Sequence, residues 1–388
     1  MSMLVKDIEK ITEADLQALI DNSVLEHKRL EYKRSLPSDS DKKEFLADVS
    51  SFANASGGDI IYGIIEDRTT GIPKTLEGVA ITNIDQEKRR LYSMIKDRIE
   101  PRIIGIDIKD IPLSNSKIAL IVRVPKSWIS PHRVSFKGYD KFYSRSTNGK
   151  YPLDVGELRV AFNLSEMITE RIRGFREDRI SKIIANETPV QLSNNAKIVL
   201  HILPVISFYP GQNYDIRLIA HDPSKLSPIY SPGIDGYGHN LDGFLTYSNN
   251  IKGKLCSYVQ LFRNGIIEAV ETSLLEPKGE KLEIPSFRYE HTIIQDLSEY
   301  IDSLKTLAVE PPIFVFLALL GVNGYSMSEH QSDTIDRDVI LLPEIVIESY
   351  EVKAEDVLKP CFDSIWNACG FPRSFNYDDT GKWVRWRP

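Results

Sequence analysis

Residues 26–67, EHKRLEYKRSLPSDSDKKEFLADVSSFANASGGDIIYGIIED, decide the fold of the first half of this chain. Residues 30–34 alternate apolar and charged side chains, which predicts a strand with one buried face and one polar face. Apolar side chains recur at helical spacing through residues 42–55, and two glycines then end the predicted amphipathic helix. The apolar run at residues 60–65 predicts a buried strand. The stretch therefore combines a strand, a helix and a second strand.

The rest of the pattern extends this stretch into two domains. Residues 132–145 predict a strand hairpin, and the capping-box signature of Asp154 and Glu157 predicts the start of a long helix. We therefore predict a mixed-sheet N-terminal domain over residues 1–185. After a polar break, a strand-rich α/β C-terminal domain is predicted over residues 196–388. The predicted fold class is α+β.

The charge of the chain is unevenly distributed. The 388 residues include 48 Lys and Arg against 55 Asp and Glu, for a net charge of −7. Residues 1–182 carry 31 basic and 28 acidic side chains, a balance of +3, so the remaining residues have a balance of −10. A mildly basic first half is suited to a polyanion, whereas an acidic second half would be repelled by a phosphate backbone. Charge asymmetry of this size also arises by chance.

The cysteines and the apolar runs exclude several classes of protein. Cys256, Cys361 and Cys369 form no C-x-x-C pair, which excludes a secreted disulfide scaffold and a zinc knuckle. The N-terminus has no apolar core of a signal peptide. The longest apolar run, residues 313–322, is about half of the roughly 20 residues that a membrane helix needs. We therefore expect a cytoplasmic protein without a membrane segment.

Three carboxylates are predicted to converge in the first domain. Glu26 and Glu31 lie beside the polar face of the first strand, and Asp67 lies at the end of the neighbouring strand. Converging carboxylates need a cation, and their hard oxygen ligands suit Mg²⁺ or Mn²⁺. Lys33 shares the face of Glu31, where an ammonium would hold a phosphate or stabilise charge that develops during hydrolysis. The same alternation of Glu and Lys is also typical of a solvated strand face.

A second group of candidates lies in or just after the predicted hairpin. His132, Arg133, Tyr143 and Arg145 are predicted to form a surface for phosphate contacts and base stacking. The alternative is a solvated hairpin without a ligand. His27 and His132 are the only histidines of this domain, which favours a metal-bound water over a histidine base as the source of the nucleophile.

These motifs resemble a known family. The run Glu26-x4-Glu31-Tyr32-Lys33, the helix end SFANASGG (51–58) and the strand IIYGIIED (60–67) resemble the Schlafen-type AlbA-like nucleic-acid-binding domain. The segments VPKSWISPHRV (124–134) and FYSRS (142–146) are similar to bacterial members. The resemblance covers about residues 12–165.

The resemblance implies a mixed-sheet domain that binds RNA or DNA. In Schlafen proteins that cleave transfer and ribosomal RNA, three acidic residues form a metal-dependent nuclease site, and by motif these fall on Glu26, Glu31 and Asp67, with Lys33 beside the second. The spacing from Gly63 to the acid is one residue longer here, which leaves Glu66 and Asp67 as alternatives. The zinc site of animal Schlafens is not implied, because this domain has no cysteine.

The prediction is thus a metal-dependent endoribonuclease that cleaves structured RNA such as tRNA, as an effector of stress or anti-phage defence. One alternative is a non-catalytic DNA- or RNA-binding regulator. Another is an assembly subunit of a defence complex. The segments YVQLFRNGIIEAVE (258–271) and LKPCFDSIWNACG (358–370) of the second half resemble the C-terminal region that accompanies this domain in bacterial proteins. The acidic balance of this half predicts a surface for a protein partner or a second copy of the chain.

Overall fold

The structure is a computed structural model that describes residues 6, 8–67, 69–146, 149–209, 211–250, 252–277, 279–328 and 332–384. The chain forms two compact units, Met1–Met167 and Ile168–Pro388. Helix α4, Val155–Ile184, contains the division between them. The boundary predicted from the sequence lies after this helix, in the polar break at residues 186–195.

The first unit is built from short strands and three further helices within its described residues. Its elements, after a 3₁₀ turn at Ile8–Lys10, are α1 Glu13–Asp21, β1 Leu30–Lys33, α2 Lys42–Asn54, β2 Gly58–Tyr62, β3 Ile64–Glu66, β4 Pro73–Leu76, α3 Ile84–Arg98, β5 Ile99–Glu100, β6 Asp107–Pro112, β7 Ile118–Val124, β8 Arg133–Phe136, β9 Tyr139–Ser146 and β10 Gly149–Pro152.

A mixed four-stranded sheet, in the order β1-β2-β7-β6, forms the centre of this unit. Strands β1 and β2 are parallel, and the other pairs are antiparallel. Leu30 and Tyr32 are buried on one face, as the alternation predicts, and they pack with α1. Phe45, Val49 and Phe52 of α2 pack on the opposite face together with α3. Mixed strand pairing between helical layers confirms the predicted α+β class.

The apolar run at residues 60–65 is not one strand, which corrects the prediction. Gly63 separates β2 from β3 with a φ of 100°, a conformation that favours glycine. A Cβ atom at Gly63 would lie 2.7 Å from the Cα of Gly78, so the two backbones meet where only glycine fits. Strand β3 then pairs with β4 instead of continuing the central sheet.

A second antiparallel sheet, in the order β10-β9-β8-β5, packs against α2. Asn54 at the end of α2 holds this sheet in place. Its side-chain amide donates to the carbonyl oxygens of His132 and Tyr143 at 3.0 and 2.8 Å, and its Oδ1 accepts from the His132 N–H at 2.6 Å.

The predicted capping box is also present at the start of α4, because Asp154 and Glu157 exchange backbone-to-carboxylate hydrogen bonds of 2.9 and 2.8 Å.

The second unit is dominated by one large sheet. Its elements after α4, with 3₁₀ turns at Val205–Phe208 and Pro223–Leu226, are β11 Lys197–Pro204, α5 Arg217–Ala220, β12 Gly236–His239, β13 Gly243–Asn249, β14 Leu255–Phe262, β15 Ile267–Glu271, β16 Glu283–Ile284, α6 Ser286–Thr306, β17 Ile313–Leu320, β18 Ser326–Met327, β19 Val339–Leu341, β20 Ile345–Ile347 and α7 Ala354–Ala368.

The sheet has the order β12-β13-β14-β15-β11-β17-β19, with β20 also paired to β17. Strand β17 lies within the longest apolar run of the chain, and every one of its residues is buried. Helices α6 and α7 bury Tyr289, Leu297, Phe362 and Trp366 in the core of this unit. None of the helices in the described part of the chain combines the length and apolar character needed to cross a bilayer.

Candidate functional site

The polar face of β1 carries a buried ion pair. The Glu31 side chain is 12 % exposed, and its carboxylate accepts a 2.6 Å hydrogen bond from Lys33 and another from the guanidinium of Arg145. Burial alone would raise the pKa of Glu31, but the hydrogen bond from Lys33 and the charge of Arg145 outweigh it and lower the pKa. Glu31 is therefore ionised and held between two cations.

Helix α2 contributes a second carboxylate, which the sequence analysis missed. Asp48 has a side chain that is 2 % exposed, and it lies 2.7 Å from the ammonium of Lys150, 3.5 Å from Arg145 and 3.7 Å from Lys33. Burial raises the pKa of Asp48, although the charges of Lys150 and Lys33 oppose this shift. A signal for Asp48 exists in the sequence: it lies three residues after Phe45, on the apolar face of an amphipathic helix, where an unpaired charge is costly.

Two further carboxylates, Glu26 and Glu66, lie within electrostatic reach of Glu31. The backbone N–H of Tyr32 donates to Glu26 at 2.6 Å. Partial burial and the charge of Glu31 raise the pKa of Glu26. Partial burial and the charges of Glu26 and Glu31 raise the pKa of Glu66 to about 7. We call Glu26, Glu31 and Glu66 the acidic cluster.

The carboxylate of Asp67, the third acid predicted from the sequence, is bound within its own turn. Its carboxylate accepts from the backbone N–H groups of Thr69 and Thr70 at 2.8 and 2.9 Å, and from the ammonium of Lys74. These donors hold the pKa of Asp67 well below its usual range. The electrostatic contacts therefore favour Glu66 over Asp67 as the third acid, because the charges of Glu26 and Glu31 act on Glu66 whereas the Asp67 carboxylate is held within its own turn.

The chemistry of the acidic cluster suits a hard divalent cation, but its arrangement does not form a ready ligand set. Carboxylate oxygens are the ligands that Mg²⁺ and Mn²⁺ prefer. However, no group of three or more His, Cys, Asp and Glu side chains within the described ranges lies close enough to hold a metal ion. Glu31 is engaged by Lys33 and Arg145, and Asp67 by its own turn. The predicted set of Glu26, Glu31 and Asp67 does not fit the ion in this arrangement.

Two of the four predicted nucleic-acid-binding residues, Arg145 and His132, are buried. The Arg145 side chain is 3 % exposed, and its guanidinium carbon lies 4.1 Å from the centre of the Phe52 ring. His132 is fully buried, with Nδ1 2.6 Å from the carbonyl oxygen of Pro101. Burial lowers the pKa of His132. These two side chains lie below the surface and therefore do not present a phosphate-binding group to solvent.

The other two predicted contacts differ in exposure. Tyr143 is half-buried and packs against the core cluster beneath α2. Arg133 is partly exposed and donates to Glu100 at 3.0 Å. Of the four predicted residues, Arg133 is thus the one that offers a guanidinium at the surface.

A basic and aromatic surface that the sequence analysis did not single out lies at the turn between β8 and β9. Lys137, Tyr139 and Lys141 are exposed there, and the ammonium of Lys43 lies 3.4 Å from the centre of the Tyr139 ring. We call these four residues the hairpin tip. The segment FKGYDKF (136–142), which alternates aromatic and basic residues across a turn, is the signal that points to it.

Comparison with known proteins supports the resemblance in the first unit. Residues 26–154, about a third of the chain, match the family model described as Schlafen, AlbA_2, which confirms the resemblance for these residues and supports a nucleic-acid-related function. No curated protein matches the chain.

Two solved structures are similar to part of the chain. One is the N-terminal domain of a protein from Nitrosomonas europaea that is related to the ATP-dependent DNA helicase RecG. It is 24 % identical to this chain, with a TM-score of 0.27, and the match covers 33 % of this chain and 86 % of that domain. The DIP2311 protein from Corynebacterium diphtheriae is 17 % identical, with a TM-score of 0.25. The match to it covers 36 % of this chain and 29 % of that protein.

Proposed function

We propose that the first unit binds nucleic acid and that the acidic cluster cleaves the phosphodiester backbone of RNA. The observation that carries this proposal is the proximity of three partly buried carboxylates, Glu26, Glu31 and Glu66. Burial, together with the charges of Glu26 and Glu31, raises the pKa of Glu66 to about 7. Carboxylates with strongly perturbed pKa values cluster at catalytic sites more often than on structural surfaces.

The charge arrangement favours catalysis at this site over simple phosphate binding. A surface that only holds a phosphate backbone presents its cations to solvent. Here Arg145 is buried against Glu31 and Asp48, and Lys33, whose side chain is 28 % exposed, donates a hydrogen bond to Glu31. Arg145 therefore positions the carboxylates, while Glu26 and Glu66 lie beside the charge of Glu31.

The side chains have complementary roles in such a reaction. A carboxylate with a pKa of about 7 exchanges a proton at neutral pH, so Glu66 can accept the proton of an attacking hydroxyl or water. The charges of Glu31 and Asp48 raise the pKa of Lys33, so its ammonium remains protonated and can stabilise the charge that develops on the phosphate oxygens. Arg145 positions Glu31 through their shared hydrogen bond.

Mg²⁺ or Mn²⁺ is the cofactor that the family resemblance implies. Because the described carboxylates do not form a ready ligand set, the roles above belong to the side chains alone. A requirement for the ion is a separate part of the proposal, which the cleavage assay tests with a chelator.

Incubation of the purified chain with end-labelled tRNA tests the proposal. We expect discrete RNA fragments with Mn²⁺ or Mg²⁺, no fragments with EDTA, and RNA binding in both conditions. DNA of matched length serves as the comparison substrate. Intact RNA in every condition, with binding retained, would favour the non-catalytic regulator. Loss of binding to both nucleic acids even at low salt, where phosphate contacts are strongest, would favour the assembly subunit.

We expect the hairpin tip to supply phosphate contacts. The double substitution Lys137→Ala, Lys141→Ala should weaken tRNA binding by about 3- to 30-fold and reduce the slope of log affinity against log salt by about 1 to 2. Fluorescence anisotropy at several salt concentrations measures both quantities. The matched control is Arg217→Ala, which removes a highly exposed cation from the second unit. An unchanged slope in the double variant would contradict the assignment.

A further inference from the structure

A cavity of about 670 Å³ lies within the second unit, away from the residues discussed above. One wall is helix α6, with Thr292, Asp296 and Glu299. The opposite walls are residues 227–232 and the chain around Ser273. A volume of several hundred cubic ångströms is typical of pockets for small organic ligands.

Asp296 lines this cavity, and one oxygen of its carboxylate has no hydrogen-bond partner among the described residues. The residue is 9 % exposed, and its Oδ2 atom is buried without a hydrogen-bond partner in the part of the chain that the structure describes. The backbone N–H of Tyr230 donates to the carboxylate. A buried polar atom without a partner is costly, and such atoms are rare in folded proteins. A ligand that donates a hydrogen bond would remove this cost.

The charged groups of the cavity wall are all acidic. Glu276, Asp296 and Glu299 line it, and among the described residues no Lys, Arg or His does so. Lys252 pairs with Glu276 at 3.0 Å but does not line the cavity. The described part of the wall therefore offers an anionic ligand no cation to pair with, whereas a cationic ligand can pair with Asp296 once that carboxyl group loses its proton.

We propose that this cavity binds a small organic cation, an aliphatic amine or a guanidinium compound, through an N–H donor paired with Asp296. The wall also offers the hydroxyl groups of Ser273 and Thr292 and the amide of Gln295 to the rest of such a ligand. A bare metal ion does not fit, because the described residues include no group of three metal-ligating side chains. This site lies in the second unit and does not depend on the function proposed for the first.

Binding of a cation to Asp296 is expected to release a proton. Burial and the charge of Glu299 raise the pKa of Asp296 to about 8, the charge of Glu271 contributes in the same direction, and the Tyr230 N–H opposes them. Asp296 is therefore mostly protonated at pH 7 in the free protein. Because a bound cation favours the ionised carboxylate, binding at pH 7 should release close to one proton, or about 0.9.

Isothermal titration calorimetry of the full chain tests the proposal with putrescine, spermidine and agmatine as probes. The matched comparisons are 1,4-butanediol, which has the length of putrescine without its charge, and succinate, which carries the opposite charge. We expect saturable binding of at least one cation and none of the two comparison compounds. Titration in two buffers of different ionisation enthalpy should show the released proton. Equal binding of butanediol, or no binding of any cation at millimolar concentration, would overturn the proposal.

Two variants locate the site. Asp296→Asn should weaken cation binding at least tenfold and abolish proton release, and Glu299→Gln, at an exposed position of the same wall, should weaken binding by a smaller factor. Asp356→Asn, an exposed position on α7, is the control and should bind as the unmodified chain does. If Asp296→Asn fails to fold, proton release by the unmodified chain and cation binding by Glu299→Gln still decide whether this cavity is the binding site. Undiminished binding in both wall variants would rule out this cavity.

Discussion

Glu66→Gln is expected to lower the rate of RNA cleavage by about 10²- to 10⁴-fold, which is the usual contribution of a general base. Asp67→Asn, one residue further on, is expected to stay within a few-fold of the unmodified chain. Glu66 lies within the electrostatic reach of Glu26 and Glu31, whereas the Asp67 carboxylate is held by its own turn and by Lys74. Asparagine retains the oxygen that accepts from this turn.

The pH profile of cleavage provides a second measurement on the same pair. A base acts in its deprotonated form, so the rate for the unmodified chain should rise as the pH increases through about 7, where Glu66 loses its proton. Asp67→Asn should keep this profile, because the low pKa of Asp67 leaves it ionised throughout. Equal RNA binding by both variants in EDTA is the control. Loss of activity in Asp67→Asn with activity retained in Glu66→Gln would return the third acid to Asp67.

Glu268→Ala is expected to destabilise the second unit by about 3 to 5 kcal/mol. Glu268 lies on β15, is fully buried, and accepts two 2.7 Å hydrogen bonds from Arg179 and one of 2.8 Å from the Tyr258 hydroxyl. The Nε2 atom of His201 lies 3.0 Å from the same carboxylate. Removing the carboxylate leaves the largely buried charge of Arg179 without its partner.

Urea unfolding, followed by a probe in the second unit, measures this loss. The matched control is Glu344→Ala, which removes an exposed carboxylate 3.4 Å from Arg173 and should cost no more than about 1 kcal/mol. A cost for Glu268→Ala that is no larger than the control would show that the network contributes little to stability.

Acid should have a similar effect on the unmodified chain. The hydrogen bonds and charges of Arg179 and His201 outweigh burial and lower the pKa of Glu268 to about 2. Because the folded pKa lies below the unfolded value near 4.5, the ionised Glu268 stabilises the fold above that pH. This contribution decreases as the pH falls from about 4.5 towards 2.

The sequence predicted most of the elements that carry the site. Alternation in β1 identified its buried face, helical spacing identified α2, and the capping box identified the start of α4. These signals are local, since each depends on side chains only a few residues apart. The order of motifs further identified the family that residues 26–154 match.

Contacts between distant residues were not predictable in this way. Arg145 meets Glu31 across 114 positions of sequence, so no local period could pair them, and a residue expected at the surface became a buried support. The exposed hairpin tip was missed for a different reason: its segment is local, but a turn in the sequence does not reveal which of its side chains remain exposed.

The pattern of residues by itself thus predicted strand β1 with its polar face, the amphipathic helix behind it, and two glutamates, Glu26 and Glu31, beside that face. Only the folded chain decided that Glu66 rather than Asp67 joins them. The physical reason is a set of contacts that no local period of the sequence encodes. Two backbone N–H groups of its own turn and the ammonium of Lys74 bind the Asp67 carboxylate, whereas Glu66 is partly buried beside the charges of Glu26 and Glu31.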